Sequence, residues 1–327
     1  MFTTKKSARR LAATLFTLAL AAAGAAQAAG TVGSTLPAAF ATVQDASLGA
    51  TVLGFGAAGK AVRTPVIFLH GNGGTPFESS CGSHIGPNLQ AMAQFFADSG
   101  YTPSELWGLA WQGDQCDLVS ATANASSLAH SITANVADLR QFVAAVLAST
   151  GASKVDIVAY GEGVVLAREW VRQDSAVRKV RRLVAIDGTN HGTLMCSPAS
   201  GNYWQNAFVG GFTPNSPYCQ ELGSPSTPFL TLLNRTRMRI SPSSTLVIRN
   251  GDASYPYMSV KDGMINPVPS IDAYGKAVDF SSSPSISGAY ELVVTGQGSY
   301  DPLAGTAHVG IGNSPATWQA ALNFLKR

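Results

Sequence analysis

Three observations predict an α/β fold built on a mainly parallel, doubly wound sheet. Short, continuously apolar runs rich in β-branched residues, over 64–69, 155–159 and 182–186, have the composition of strands covered on both faces. Between such runs lie stretches of helical period. The longest spans 127–149, where Leu128, Ile132, Val136, Leu139, Phe142, Val143 and Val146 recur at three- and four-residue intervals and make one apolar stripe. The passage from the 155–159 strand into a helix over 164–173 is a turn of small residues, Ala159-Tyr160-Gly161-Glu162-Gly163, too tight for bulky side chains at its flanks. Strand and helix alternating in this way call for a sheet with helices on both faces.

The chain opens on a segment that is no part of that fold. Lys5, Lys6, Arg9 and Arg10 precede an apolar run over 11–23, and Ala26-Gln27-Ala28 is a small-x-small cleavage site. This is the pattern of an export signal over 1–28, its apolar run too short for the roughly 20 residues of a bilayer span. Taking the four leader cations from the 22 Lys+Arg leaves 18 against 19 Asp+Glu, so the remainder is near neutral. That balance predicts no nucleic-acid partner. The expected compartment is therefore secreted or periplasmic, without a transmembrane segment. There the even cysteine count (Cys81, Cys116, Cys196, Cys219) favours two disulfides. The shorter separations favour Cys81–Cys116 and Cys196–Cys219. No C-x-x-C, H-E-x-x-H or Cys/His cluster asks for a metal, and no cofactor motif is present.

From 29 to 327 the elements follow in order. The 64–69 strand runs into His70-Gly71-Asn72-Gly73-Gly74-Thr75, where glycines let the chain turn a backbone N–H toward a reacting carbonyl; Asn72 is the expected donor. A helix over 87–99, a strand over 105–111 and the long helix lead to the tight turn. The basic cluster Arg178, Lys179, Arg181 and Arg182 precedes the 182–186 strand, and reads as a solvated edge near a helix end. After Asp187 regular structure gives way over 188–227 to Gly, Pro, Asn and aromatic residues. A loop of that length suits a cap over a site mouth, or else a packed excursion, with Cys196 and Cys219 stapling it. Its apolar content fits an acyl chain or polyester better than a sugar. A strand over 245–249 is followed by two candidate acids, Asp252 and Asp262. A strand over 291–295 precedes His308, and a closing helix starts at Ser314-Pro315.

The turn at 159–163 has the frame of a nucleophile elbow, G-x-S-x-G, in which a serine stands at the apex of a strained strand-to-helix turn. Here the apex is Gly161. Glycine has no nucleophilic atom, so a covalent acyl route through this position is closed. Glu162 occupies the residue whose N–H would complete an oxyanion hole with Asn72, and a carboxylate there disfavours a developing oxyanion.

With these residues in view, the chain resembles the α/β-hydrolases over about residues 60–327. The likeness is to secreted bacterial lipases and esterases, more loosely to extracellular polyhydroxyalkanoate depolymerases. The resemblance rests on 66–74, 154–168, the Gly-Thr-Asn-His-Gly-Thr turn at 188–193, 262–267 and 307–325. It implies a cap or lid insertion on one hydrolase domain, an ester or other apolar ligand, His308 as base and an acid. Asp262, in Asp-Gly-Met-Ile-Asn-Pro, matches the family's setting for the acid better than Asp252. Members carry Ala-His-Ser-Met-Gly or a close variant where this chain has Ala159-Tyr160-Gly161-Glu162-Gly163. The resemblance therefore implies an ester hydrolase by descent with very low or absent turnover. The alternatives are a binding protein using the acyl pocket, or a hydrolase with another nucleophile.

Overall fold

The computed structural model describes residues 30–38, 40, 53–72, 74–77, 86–111, 131–198, 213–236, 239–251, 271–297 and 306–327. The expected leader, Cys81, Cys116, Asp252 and Asp262 lie outside the described residues. Among the described residues, seven strands form one sheet: β1 (Leu53–Phe55), β2 (Val66–Leu69), β3 (Leu106–Ala110), β4 (Val155–Tyr160), β5 (Val180–Ile186), β6 (Thr245–Asn250) and β7 (Tyr290–Val294). Their order is β1-β3-β2-β4-β5-β6-β7. Only β1 runs antiparallel, beside β3; every other pairing is parallel. This mostly parallel sheet with helices on both faces is the α/β architecture the sequence predicts.

The helices are α1 (Leu89–Asp98), α2 (Ile132–Thr150), α3 (Glu162–Gln173), α4 (Pro217–Leu222), α5 (Pro228–Arg235), α6 (Thr306–Asn313) and α7 (Pro315–Lys326). Alternation along the central strands divides the core. Ile67, Leu69, Ile157, Ala159, Leu183 and Ala185 face α2 and α3, whereas Val66, Phe68, Val158, Tyr160, Val184 and Ile186 face α1 and α7. Burial of two apolar faces holds the sheet as a middle layer, with large side chains such as Trp107 and Trp170 fully covered.

Two differences from the sequence reading concern helices. The 188–227 stretch, expected as loop, contains α4, and α5 follows directly. Each starts on a capping hydroxyl followed by proline: Ser216-Pro217 and Thr227-Pro228, with the Ser216 and Thr227 oxygens accepting from Cys219 and Leu230 N–H. That is a strong helix-start signal, but these helices are short and their apolar period is lost among the Gly and Pro around them. His308 sits near the start of α6, a helix the sequence reading did not place. The disulfide Cys196–Cys219 forms as expected and ties the turn at Leu194–Cys196 to α4. Among the described residues no helix is long and apolar enough to cross a membrane.

Candidate active site

Strand order decides where a site forms. From β2 the chain winds outward to β3, then returns to β4 on the opposite side of β2, so the direction of winding reverses between β2 and β4. A crevice opens at the carboxyl ends of strands at such a point. Three strand ends meet there. Leu69 of β2 is level with Ala159 of β4, and Tyr160 is level with Ile186 of β5. The next residues, His70 to Asn72, Gly161 and Asp187, therefore cluster.

Gly161 has φ 55° and ψ −127°, a backbone conformation that side chains other than glycine's adopt under strain. Its N–H donates to Ile186 O at 3.0 Å, which fixes the end of β4 to the end of β5. The turn is tight because α3 passes close under β2. A Cβ at Gly163 would lie 2.5 Å from His70 O and 2.8 Å from Leu69 O, so only glycine fits. A Cβ at Gly161, by contrast, would meet Gly71 Cα at 3.3 Å and His308 Nε2 at 3.6 Å. The imidazole is thus aimed at the place a side chain on residue 161 would occupy.

The other face of that imidazole is held by a carboxylate. His308 Nδ1 lies 2.6 Å from Asp187 Oδ2. Asp187 is buried, and its second oxygen accepts from Asn250 N–H at 3.2 Å. Its backbone is held in the left-handed region at φ 45°, with its N–H donating to Ile248 O at 2.8 Å. A non-glycine residue in that region is a strained feature of the kind that gathers at sites. The acid expected from the sequence is not the carboxylate seen here. The carboxylate on His308 is Asp187, at the end of β5, where the reading of the chain had Asp262, which lies outside the described residues, as does Asp252. One signal for Asp187 was present: it is the first polar residue after an apolar strand adjacent to the elbow strand, and Gly188 follows it.

Tyr160 lines the base. Its ring packs against His308 in a tilted arrangement, with centroids 4.6 Å apart. Burial, with the Asp187 and Glu162 carboxylates nearby, pushes its phenol well above the ordinary value, so the ring stays neutral.

The oxyanion side is arranged differently. Asn72 N–H, the expected donor, is bonded at 2.8 Å to Glu162 Oε2. Glu162 Oε1 accepts the Tyr218 hydroxyl at 2.5 Å, and Tyr218 lies on α4 next to the disulfide cysteine Cys219. Glu162 is itself buried at 3% exposure and opens α3, where the helix dipole favours a negative charge. His70 packs flat on Trp111, whose indole N–H donates to His70 O at 3.0 Å, so the β2 exit is rigid. His191 of the Gly188–Thr193 turn is not at this cluster's chemistry. Its N–H donates to Ser283, and burial lowers its basicity.

The sheet, its switch point and a histidine–carboxylate pair facing a strand-to-helix apex define an α/β-hydrolase. The chain belongs to the lipase (class 2) family, whose sequence model matches residues 63–246. No curated protein matches it. Similar solved structures include the mature Bacillus licheniformis lipase BlEst2, at 14% identity over 83% of this chain and 97% of that one, with a TM-score of 0.49. Aspergillus fumigatus lipase B is 14% identical over 91% of this chain and 56% of that one, TM-score 0.45. Phospholipase PlaB from Legionella pneumophila is 12% identical over 82% and 60%, TM-score 0.49.

Proposed function

We propose that this chain is an exported ester hydrolase by descent, of the kind that acts on acyl lipids or polyesters. As written it turns over very slowly or not at all, because the nucleophile is missing at Gly161 and the Glu162 carboxylate takes the Asn72 N–H. The observation that carries the reading is His308, with Nδ1 on Asp187 and Nε2 3.6 Å from where a Cβ at 161 would stand. In such a site the imidazole takes the proton of a nucleophile at the apex and returns it to the leaving alcohol. Asp187 holds the ring in the tautomer that presents Nε2, the part first assigned to Asp262. Asn72 supplies a backbone donor to the oxyanion. A leader over 1–28 together with the Cys196–Cys219 bond supports export to an oxidising compartment. The aromatic and proline-rich 188–227 stretch supports an apolar ligand.

The test is reconstruction. Gly161→Ser combined with Glu162→Met should create hydrolysis of p-nitrophenyl esters, and Tyr160→His should raise it further. The scale to compare with is the roughly 10⁶-fold attributed to the serine of a triad. Serine at the strained apex costs about 1–2 kcal/mol of stability, which a domain of this size tolerates. Adding His308→Ala must abolish what was gained. A folded revertant inactive on short and medium chains would refute the reading. So would ordinary esterase turnover by the unaltered protein, since another nucleophile would then be at work.

A further inference from the structure

The groups around Glu162 have a chemistry of their own. Its two carboxylate oxygens are divided between a backbone N–H from the β2 exit, Asn72, and a phenolic O–H from the cap, Tyr218, at 2.8 and 2.5 Å. No cation pairs with Glu162 among the described residues. A buried carboxylate held without a cation depends on its hydrogen-bond donors and on the positive end of α3. Removing it would leave two donors aimed into one small space. Two convergent donors at a helix start are what a carboxylate needs. Tyr218 Oη also lies 3.7 Å from Met195 Sδ, a weak acceptor that cannot replace a carboxylate.

We propose that Asn72 N–H and the Tyr218 hydroxyl form a monocarboxylate cradle in which Glu162 is the tethered resident ligand. The side chain of the residue next to the elbow apex thereby occupies the place of a substrate oxyanion, and the cap clamps it there. A free monocarboxylate, the acid half of a hydrolysed ester, is the ligand that takes its place when Glu162 is removed. The proposal rests on Asn72 being the oxyanion donor of the site described above.

The experiment is a binding titration of the full chain with hexanoate, with hexanol as the control for apolar tail binding. Glu162→Ala should bind hexanoate saturably and hexanol at least about tenfold less well, the unaltered protein should bind neither, and Glu162→Ala with Tyr218→Phe should weaken hexanoate by about tenfold. Folded Glu162→Ala that binds no hexanoate, or binding equal in the unaltered protein, would overturn the proposal. Hexanol bound as tightly as hexanoate would overturn it too. If Glu162→Ala fails to fold, hydrogen exchange of the Asn72 amide decides the matter. Tyr218→Phe alone should speed that exchange by about tenfold through release of the clamp, and an unchanged rate would sink the idea. Neither readout involves turnover. A reconstructed protein that hydrolyses nothing would refute the hydrolase reading and leave the cradle standing, and the reverse outcome is equally visible.

Discussion

The two halves of the candidate site are built differently. On the base side, His308, Asp187 and Asn250 form an unbroken chain of contacts from the apex into the ends of β5 and β6. On the nucleophile side, the backbone makes a tight strand-to-helix turn, and residues 160, 161 and 162 carry an aromatic ring, a hydrogen and a carboxylate. The difference teaches which parts of such a site are also parts of the fold. Asp187 ends a central strand and is fastened by its own N–H to Ile248, so its position follows from the sheet. The turn at 161 follows from the close approach of α3 to β2 at Gly163. Neither depends on what residue 161 carries.

The sharpest way to break the comparison is at the acid. In the Gly161→Ser/Glu162→Met background, Asp187→Asn should lower kcat by about 10⁴-fold through the wrong imidazole tautomer, with KM little changed. Asp262→Asn should leave activity within a few-fold. The opposite ranking would return the acid's role to Asp262. The next effect is on the elbow's packing. Gly163→Ala sets a Cβ against two carbonyl oxygens that cannot retreat, and should cost about 2–3 kcal/mol in denaturant unfolding. A loss below about 0.5 kcal/mol would mean that α3 is free to shift, and that the elbow owes its shape to something else.

The smallest effect concerns the far end of α3. There Arg140 of α2 holds Asp174, the residue closing α3, through two bonds of 2.6 Å. This hydrogen-bonded pair keeps the Asp174 carboxyl below its ordinary value. A depressed carboxylate contributes stability above its unfolded pKa near 3.8 and loses it as pH falls through the lower folded value. The pair is largely solvent-facing, so Arg140→Ala should cost less than about 1 kcal/mol at pH 7. The difference should shrink on acidification below pH 4, as followed by thermal unfolding. A deficit that grows on acidification would reverse the sign assigned here.

Much of the fold was legible because its signals are local. The apolar runs at 64–69, 155–159 and 182–186 and the long amphipathic helix state their own type, and the strand-to-helix turn announced itself through small residues. Asn72 and His308 could be singled out from the chain because each follows a strand in a recognisable setting. Asp187 was passed over for a reason of topology. Nothing in one dimension says that β5 lies next to β4, and that adjacency is what brings its last residue under the imidazole. The direction of the Glu162 side chain was equally hidden, since its partners lie 90 and 56 residues away. Sequence reading placed a carboxylate next to the elbow apex; only the packing shows it on the Asn72 N–H and the Tyr218 hydroxyl.

The φ of 55° at Gly161 has a thermodynamic consequence. A nucleophile at such an apex lives in a conformation its own side chain opposes, so an active member of this architecture spends stability to hold it. Glycine adopts the same angles without opposition. In this chain the reactive geometry of the backbone is therefore the relaxed one, and the unfolded chain rather than the folded one bears the entropic consequence, through glycine's greater freedom. Comparing alanine with serine at 161 would separate, in one protein, what backbone strain costs an elbow from what its hydroxyl does.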